Sequence, residues 1–333
     1  ATTASEYFPR VCDVLCDIYM NPLFSKREID RERGVIAEEI LMYQDEPSSY
    51  VHELMEQTHW ESHPLGRSIA GTLASIESMT AEDFRSYRKS HYNAPSTVVT
   101  AAGNIRHEDV VEKVTFALKG LPHGKAPSAK PCPPPRKSPR IVTAARDIQQ
   151  TQLSLALPAI SHRDERRYAA HLLHVILGAN ASSRLFQEIR EKRGLCYSVS
   201  THQTTLNDGG YLGISAGLDR RNLEKSLILI LAQFENLRNK IIGIAELRRA
   251  KEYTIGSSRM ALERTSTQNM RLGNSVLAHG KIVDPESVNE KIRNVTPDEI
   301  LSLSKEILDP NRITLAVVGP NPDERMLKKL LGA

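Results

Sequence analysis

Apolar and polar residues recur along this chain with two different periods, which indicates both helices and strands. A period near 3.6 residues predicts helices in the first third at 6–20, 27–44, 49–59, 80–91 and 107–118. Short runs of apolar and β-branched residues later predict strands at 150–157, 195–203 and 210–216. Further helices are predicted between and after these strands at 163–177, 183–192, 221–237, 244–278, 286–292 and 297–307. Predicted strands and helices are thus interleaved along the chain.

A change of composition divides the chain in two. The run KGLPHGKAPSAKPCPPPRKSPR at 119–140 is rich in proline and lysine, and proline cannot continue a helix or a central strand. We therefore predict a first domain at 1–120, an interdomain linker at 121–144 and a second domain at 145–333. A length of 333 residues fits two domains of ordinary size.

The two halves also resemble each other. At an offset of 216 residues, TAEDF at 80–84 corresponds to TPDEI at 296–300, and each segment begins a helix that leads to a predicted strand, at 98–103 and 315–319. Each threonine suits a helix N-cap because an acidic residue follows three positions later. REIDR at 27–31 matches AELRR at 245–249 at an offset of 218. Two related α/β domains follow.

The repeat predicts that the first domain lacks its beginning. The second domain opens near residue 145, whereas residue 1 corresponds to a position near 218. About 70 residues of the first domain, the counterpart of 145–217, are therefore expected to be absent.

Two glutamates on the predicted helix 27–44 are the first candidates for chemistry. Glu32 and Glu39 lie seven residues apart, so they point within about 20° of each other around the helix axis. The same face carries apolar residues, and burial of two carboxylates there requires compensation, for example by a cation. The alternative is that both acids pair with arginines or lie at the edge of the apolar stripe.

Arg190 and Tyr197 form a second candidate site. They lie on either side of Gly194, which is a suitable helix C-cap and lets the chain turn back so that the two side chains meet. An arginine and a phenol can both donate hydrogen bonds to a developing oxyanion. The alternative is a surface arginine on a helix and a tyrosine in the core of a strand.

Composition and charge exclude several classes of protein. With 40% hydrophobic and 25% charged residues, the chain can bury a large core. The net charge is only +4, and the basic residues are scattered among acidic ones, so nucleic acid is not an expected partner. No apolar run is long enough to cross a membrane, so no membrane partner is expected. The cellular compartment stays open, with the cytoplasm favoured.

Three segments together resemble one family of proteins. The sequence SSRLFQEIREKRGLCYSVS at 182–200 resembles the C-terminal-domain signature of the pitrilysin (insulinase, M16-type) zinc metallopeptidases, which include processing peptidases. REIDRERGVIAEEI at 27–40 resembles the helix that bears the third zinc ligand of that family, and residues 63–105 are similar to the segment that follows it. The resemblance implies an α+β fold. Two repeated α/β domains would form a clamshell, each a mostly antiparallel sheet packed with helices, and the first domain would be truncated at its N-terminus.

The resemblance also implies roles for the candidate residues. Glu39 matches a Zn²⁺ ligand and Glu32 an auxiliary acid beside the site, while Arg190 and Tyr197 match a pair that reaches the substrate backbone. The family's other two ligands and its general base belong to an H-x-x-E-H motif, which this sequence does not contain. Truncation is the expected reason, since the corresponding helix would fall within the absent residues.

The resemblance therefore implies a zinc-dependent endopeptidase that cleaves extended peptides or presequence-like segments. This chain would be a fragment of that enzyme and is expected to be inactive alone. The alternative is a non-catalytic subunit of the same family that binds peptides or an active partner. Formation of a homodimer or of a pair with another subunit is a further expectation. An unrelated α/β binding scaffold would require the matching segments to be coincidental.

Overall fold

A computed structural model describes residues 1–332 as a mixed α/β protein. The helices of the first half are α1 (Phe8–Met20), α2 (Lys26–Asp45), α3 (Pro47–Trp60), α4 (Leu73–Ser78), α5 (Ala81–His91) and α6 (His107–Ala117). Those of the second half are α7 (Arg167–Gly178), α8 (Leu223–Asn239), α9 (Ile244–Ala261), α10 (Thr265–His279), α11 (Pro285–Asn294), α12 (Pro297–Ile307) and α13 (Glu324–Leu331). The strands are β1 (Arg140–Ala145), β2 (Thr151–Pro158), β3 (Cys196–Thr205), β4 (Gly210–Leu218) and β5 (Thr314–Gly319).

The helix bounds confirm the internal repeat. At an offset of 216 residues, both ends of α5 coincide with both ends of α12. At an offset of 218, α2 and α3 begin where α9 and α10 begin. The predicted caps are also formed, since Thr80 and Thr296 each close a capping box with the acid three residues later.

The five strands form one sheet in the order β1-β5-β2-β4-β3. The β1–β5 pair is parallel and the other three pairs are antiparallel. The sheet of the second domain is therefore mostly antiparallel, as predicted. β3 and β1 are its edges, and β5 lies between β1 and β2 with every residue buried.

Both faces of this sheet are covered by helices. On one face, α7, α8 and α12 pack in a large apolar core that includes Leu155, Leu173 and Phe234, all fully buried. On the other face, α3 places Val51, Met55 and Trp60 against Ala316 and neighbouring residues of β2, β4 and β5. Burial on both faces explains why β2 and β5 are almost continuously apolar.

Contacts divide the chain into two compact units that each combine separate stretches of sequence. The first unit contains 1–39, 72–130 and 257–283, and the second contains 40–71, 131–256 and 284–333. The first half of the repeat thus gives α3 to the second unit, and the second half gives α10 to the first. The predicted division at 1–120 and 145–333 did not anticipate this exchange, because an apolar helix face does not reveal which sheet it covers.

Two sequence predictions of secondary structure were wrong. Residues 98–103 are not a strand, because no neighbouring strand among residues 1–332 supplies the hydrogen bonds that define one. The helix predicted at 244–278 is two helices, α9 and α10, separated at 262–264. The helix predicted at 183–192 is confirmed, since residues 184–191 are helical, but most of it, Phe186–Glu191, has π-helical instead of α-helical hydrogen bonds.

The predicted linker at 121–144 contains neither helix nor strand until Arg140, where β1 begins. β1 starts inside the predicted linker because its residues pair with β5 along their full length. Within residues 1–332 no helix combines the length and apolar character needed to span a membrane.

Three histidines lie partly buried between α3 and the sheet. His52 makes hydrogen bonds of 3.1 Å with Ser154 and Ser215 through its two ring nitrogens. His59 Nδ1 lies 3.0 Å from the Thr314 hydroxyl. Burial lowers the pKa of His59 and the pKa of His202 to about 4, because removal from water disfavours the charged imidazolium. These histidines are therefore neutral at pH 7.

The second unit should lose stability as the pH falls from about 6.5 towards 4. A histidine whose pKa is lowered in the folded protein binds its proton at a higher pH in the unfolded chain. Acid therefore stabilises the unfolded chain, and the free energy of unfolding falls by at most about 1.4 kcal/mol per pH unit for each such histidine. Urea unfolding followed by circular dichroism between pH 7 and 5 measures the slope. The double variant His59→Gln/His202→Gln should show a smaller change of unfolding free energy with pH than the control variant His107→Gln, which replaces an exposed histidine. An unchanged slope in the double variant would contradict the assignment.

Candidate active site

Arg190 and Tyr197 meet at the surface of the second unit. The guanidinium of Arg190 lies 4.8 Å from the ring centroid of Phe186 and 5.9 Å from that of Tyr197. Both Arg190 and Tyr197 are exposed, and Tyr197 retains 74% of its accessible surface. The phenol and the guanidinium can therefore both reach a ligand on the same side of the chain.

A glycine turn brings these two side chains together, as the sequence predicted. Gly194 has a φ of +59°, in the left-handed region that other residues avoid. Its N–H donates to the Arg190 carbonyl at 2.9 Å, and the Leu195 N–H donates to the Ile189 carbonyl at 2.9 Å. These bonds close the π-helical turn and direct the chain into β3.

A β-bulge then sets the direction of Tyr197. Cys196 pairs with Leu218 and Ser198 pairs with the adjacent Gly217, so Tyr197 is an extra residue between two ladder positions. Cys196 points into the core and is buried. Tyr197 consequently leaves the regular alternation of the strand and faces solvent beside Arg190.

The charges around the pair leave Arg190 without a carboxylate partner among residues 1–332. Glu188, two residues earlier, binds Lys192 at 2.5 Å and Arg193 at 2.6 Å. Those hydrogen bonds lower the pKa of Glu188, so it stays ionised and engaged with other cations. The donors of Arg190 are therefore available to an external acceptor such as a carbonyl oxygen.

Glu32 and Glu39 lie in the first unit, on the same face of α2. Both are exposed, which corrects the expectation that they are buried within an apolar stripe. The reason is that nothing among residues 1–332 covers this face of α2. Neither carboxylate forms an ion pair with an arginine in the described part of the chain, whereas the other half of the alternative, a position at the edge of the apolar stripe, agrees with their exposure. Glu32 lines an apolar groove, together with Ile29 and Ile36.

Residues 1–332 do not by themselves form a zinc site. Catalytic zinc requires three protein ligands, usually histidines or carboxylates. Within this range no group of three histidine, cysteine, aspartate or glutamate side chains is arranged to hold a metal ion. Glu39 can supply one ligand, and its assignment as a ligand stays a prediction, as do the roles of Glu32, Arg190 and Tyr197.

Sequence patterns did not reveal the two backbone irregularities beside the site. The π-helical turn consists of local hydrogen bonds but has no residue signature, and the bulge at Tyr197 depends on how β3 pairs with the distant β4. Gly194 was the one local signal of the turn. The apolar groove beside Glu32 was also missed, because the sequence shows which residues are apolar but not which remain uncovered.

Gly194→Ala should destabilise the second unit by about 1–2 kcal/mol, since an L-residue disfavours the left-handed conformation. No atom lies within 4 Å of the added methyl group, so the cost is conformational. Gly256→Ala, within α9, is a matched control with equally open surroundings. That change should stabilise by about 0.5–1 kcal/mol. Urea unfolding measures both, and equal effects of the two substitutions would contradict the role of Gly194.

Two known protein families together match nearly all of residues 1–253. The family described as "Insulinase (Peptidase family M16)" matches residues 1–73. The family described as "Peptidase M16 inactive domain" matches residues 78–253. The second match includes Arg190 and Tyr197, and the first includes Glu32 and Glu39.

Similar proteins extend the comparison to most of the chain. An uncharacterized zinc protease of Streptomyces coelicolor is 34% identical over 98% of this chain and 74% of its own length. One of Rickettsia felis is 31% identical over 96% of this chain and 77% of its own length.

Solved structures agree on the fold. A protease from Helicobacter pylori has a TM-score of 0.87 and 18% identity, over 96% of this chain and 78% of its own. A peptidase M16 inactive domain from Pseudomonas fluorescens has a TM-score of 0.86 and 21% identity, over 96% and 77%. The sequence matches, the identity to zinc proteases and this shared fold lead to one conclusion: the chain belongs to the insulinase family, peptidase family M16.

Proposed function

We propose that this chain takes part in zinc-dependent cleavage of peptides or presequence-like segments held in extended form. Arg190 and Tyr197 would donate hydrogen bonds to the substrate backbone near the scissile bond. Glu39 would bind zinc, and Glu32 would act as an auxiliary acid beside the site. The names of similar proteins support zinc proteolysis at the family level.

The observation that carries the proposal is the Arg190–Tyr197 pair. Two backbone irregularities and one left-handed glycine place an arginine and a phenol side by side, both exposed. A purely structural pair has no need of such an arrangement, because exposed side chains contribute little to stability. Two hydrogen-bond donors without a protein acceptor are suited to a carbonyl oxygen that gains negative charge.

Zinc binding would require ligands that residues 1–332 do not bring together. Glu39 lies on the exposed face of α2, two helical turns after Glu32, where an incoming cation could be shared by carboxylate oxygens. We propose that two further ligands and the general base come from polypeptide outside this sequence. The chain by itself would then bind peptides without cleaving them.

A second candidate function is that of a non-catalytic subunit that binds peptides or an active partner. Two observations favour it: the described residues contain no three-ligand metal group, and the family matched at 78–253 is described as an inactive domain. Pairing with a second chain, of the same or another kind, would be a natural part of this role.

Zinc content and peptide cleavage by the full-length gene product separate the two functions. We expect about one zinc per chain and cleavage of a quenched fluorescent peptide. Glu39→Gln should abolish both, because an amide is a poor zinc ligand, whereas Glu38→Gln, on the neighbouring exposed position, should preserve both. Tyr197→Phe should lower kcat by roughly 10²-fold while leaving the zinc content unchanged, as loss of one oxyanion donor does.

A full-length protein that binds no zinc and cleaves nothing would overturn the peptidase proposal and support the non-catalytic subunit. Retention of zinc by the Glu39→Gln variant would instead reject Glu39 as a ligand. Unchanged kcat and KM in the Tyr197→Phe variant would reject the proposed contact with substrate.

A further inference from the structure

The guanidinium of Arg190 lies close to two aromatic rings that are held very differently. Its central carbon is 4.8 Å from the ring centroid of Phe186 and 5.9 Å from that of Tyr197. Phe186 is half-buried and packs against the large apolar core of the second unit. Tyr197 is 74% exposed. Phe186 is therefore the ring whose position the core fixes.

The helical segment that carries both residues brings Phe186 and Arg190 together. They lie four residues apart in the π-helical turn. Helical side chains lean towards the N-terminus of their helix, so the side chain of Arg190 extends back over Phe186. Leu185 and Ile189, the residues directly before the two, are fully buried in the same core and anchor the segment. The contact between the ring and the guanidinium thus stands on a rigid base.

An aromatic ring holds an arginine without using its hydrogen-bond donors. A carboxylate partner would accept hydrogen bonds from the guanidinium and neutralise its charge. The face of a ring attracts a cation through the ring quadrupole and leaves the N–H groups for another acceptor. The nearby carboxylate of Glu188 binds Lys192 and Arg193 instead of Arg190. Arg190 therefore keeps both its charge and its donors while Phe186 restricts its position.

We propose that Phe186 is a positioning residue, which holds the Arg190 guanidinium beside Tyr197 so that both donors meet the same carbonyl oxygen of a bound peptide. This inference rests on the proposed function, because it deepens the role which that function gives to Arg190. Phe186 itself makes no hydrogen bond to the peptide, since its ring has no N–H or O–H group. It acts through Arg190 alone.

The alternative is that Phe186 only packs against the core. A half-buried phenylalanine stabilises a protein by burial of its apolar surface, which depends on the size and shape of the ring. Attraction of a cation depends instead on the negative charge of the ring face. Fluorine atoms on the ring draw electron density away from this face and change the size of the ring little. Fluorination therefore separates positioning of Arg190 from packing.

Fluorinated phenylalanines in place of Phe186, in the full-length gene product, test the proposal. Rings with one, two and three fluorine atoms should lower kcat/KM for a quenched fluorescent peptide step by step. The total loss should be about 3- to 10-fold, the size of effect expected from one cation–π contact. The same replacements of Phe234 are the control, because this ring is fully buried in the same core and no cation lies over it in residues 1–332. They should leave kcat/KM unchanged.

Fluorine NMR of the same protein measures the contact without reference to zinc or activity. The ¹⁹F resonance of a 4-fluorophenylalanine that replaces Phe186 should shift in the variant Arg190→Gln, because loss of the adjacent cation changes the electric field at the ring. It should stay in place in the variant Arg325→Gln, which removes an exposed arginine of α13. A resonance that does not respond to Arg190→Gln would reject the contact itself.

Natural substitutions repeat the measurement should the fluorinated proteins be obtained in too small an amount. Phe186→Leu keeps an apolar side chain and loses the ring, so it should lower kcat/KM by a similar factor. Phe186→Tyr keeps the ring and should retain most of the activity. Urea unfolding of both variants separates a loss of stability from a loss of activity. Equal losses of activity in the two variants, or none in either, would contradict the positioning role.

Failure of this proposal and failure of the proposed function give different results. Unchanged kcat/KM across the fluorinated series, in a protein that cleaves the peptide, would overturn the positioning role and leave Phe186 as a packing residue. A protein that binds the peptide without cleaving it would contradict the peptidase alone. The affinity for the peptide then replaces kcat/KM, and it should fall along the same series. A protein that neither binds nor cleaves peptides would overturn both proposals.

Discussion

This structure depends on one constraint: helices from both halves of the repeat bury both faces of the five-stranded sheet. β5 and β2 are apolar on both sides, so each needs a helix layer above and below. α7, α8 and α12 supply one layer, and α3 supplies the other through Val51, Met55 and Trp60. Because α3 comes from the first half of the chain, both halves of the repeat contribute to burying this sheet.

This covered sheet is what holds the candidate site in place. Cys196 and Val199 fix β3 to the core, and the bulge leaves Tyr197 facing solvent. Arg190 lies before the Gly194 turn. Its carbonyl accepts a hydrogen bond from the Gly194 N–H, and the neighbouring Ile189 is buried in the same core as Cys196. The two acids on α2, Glu32 and Glu39, lie on the first unit, where Glu32 lines an open apolar groove. The candidate donors are thus preorganised in this chain, whereas the candidate zinc ligand lacks its surroundings.

The sequence was informative wherever local pattern decides structure. The repeat, the caps at Thr80 and Thr296, the strands of the second domain and the meeting of Arg190 with Tyr197 could all be predicted. Predictions that depend on a neighbouring strand or helix from elsewhere in the chain were wrong or were not made. The strand at 98–103 has the right residues but no neighbour among residues 1–332 to pair with, and the bulge at Tyr197 depends on the register of β4. The packing of α3 against the second unit could not be predicted, since periodicity shows that a helix has an apolar face but not which sheet that face covers.

Amide hydrogen exchange tests the central claim most directly, namely that of two segments related by the repeat, 315–318 is paired on both sides in a sheet and 99–102 is unpaired in the described structure. Residues 99–102 and 315–318 are related by the repeat and have similar apolar character. The account predicts that amides of 315–318 exchange only through unfolding of the second unit, whereas those of 99–102 exchange almost as fast as in an open loop. Equal, strong protection of both segments would contradict it.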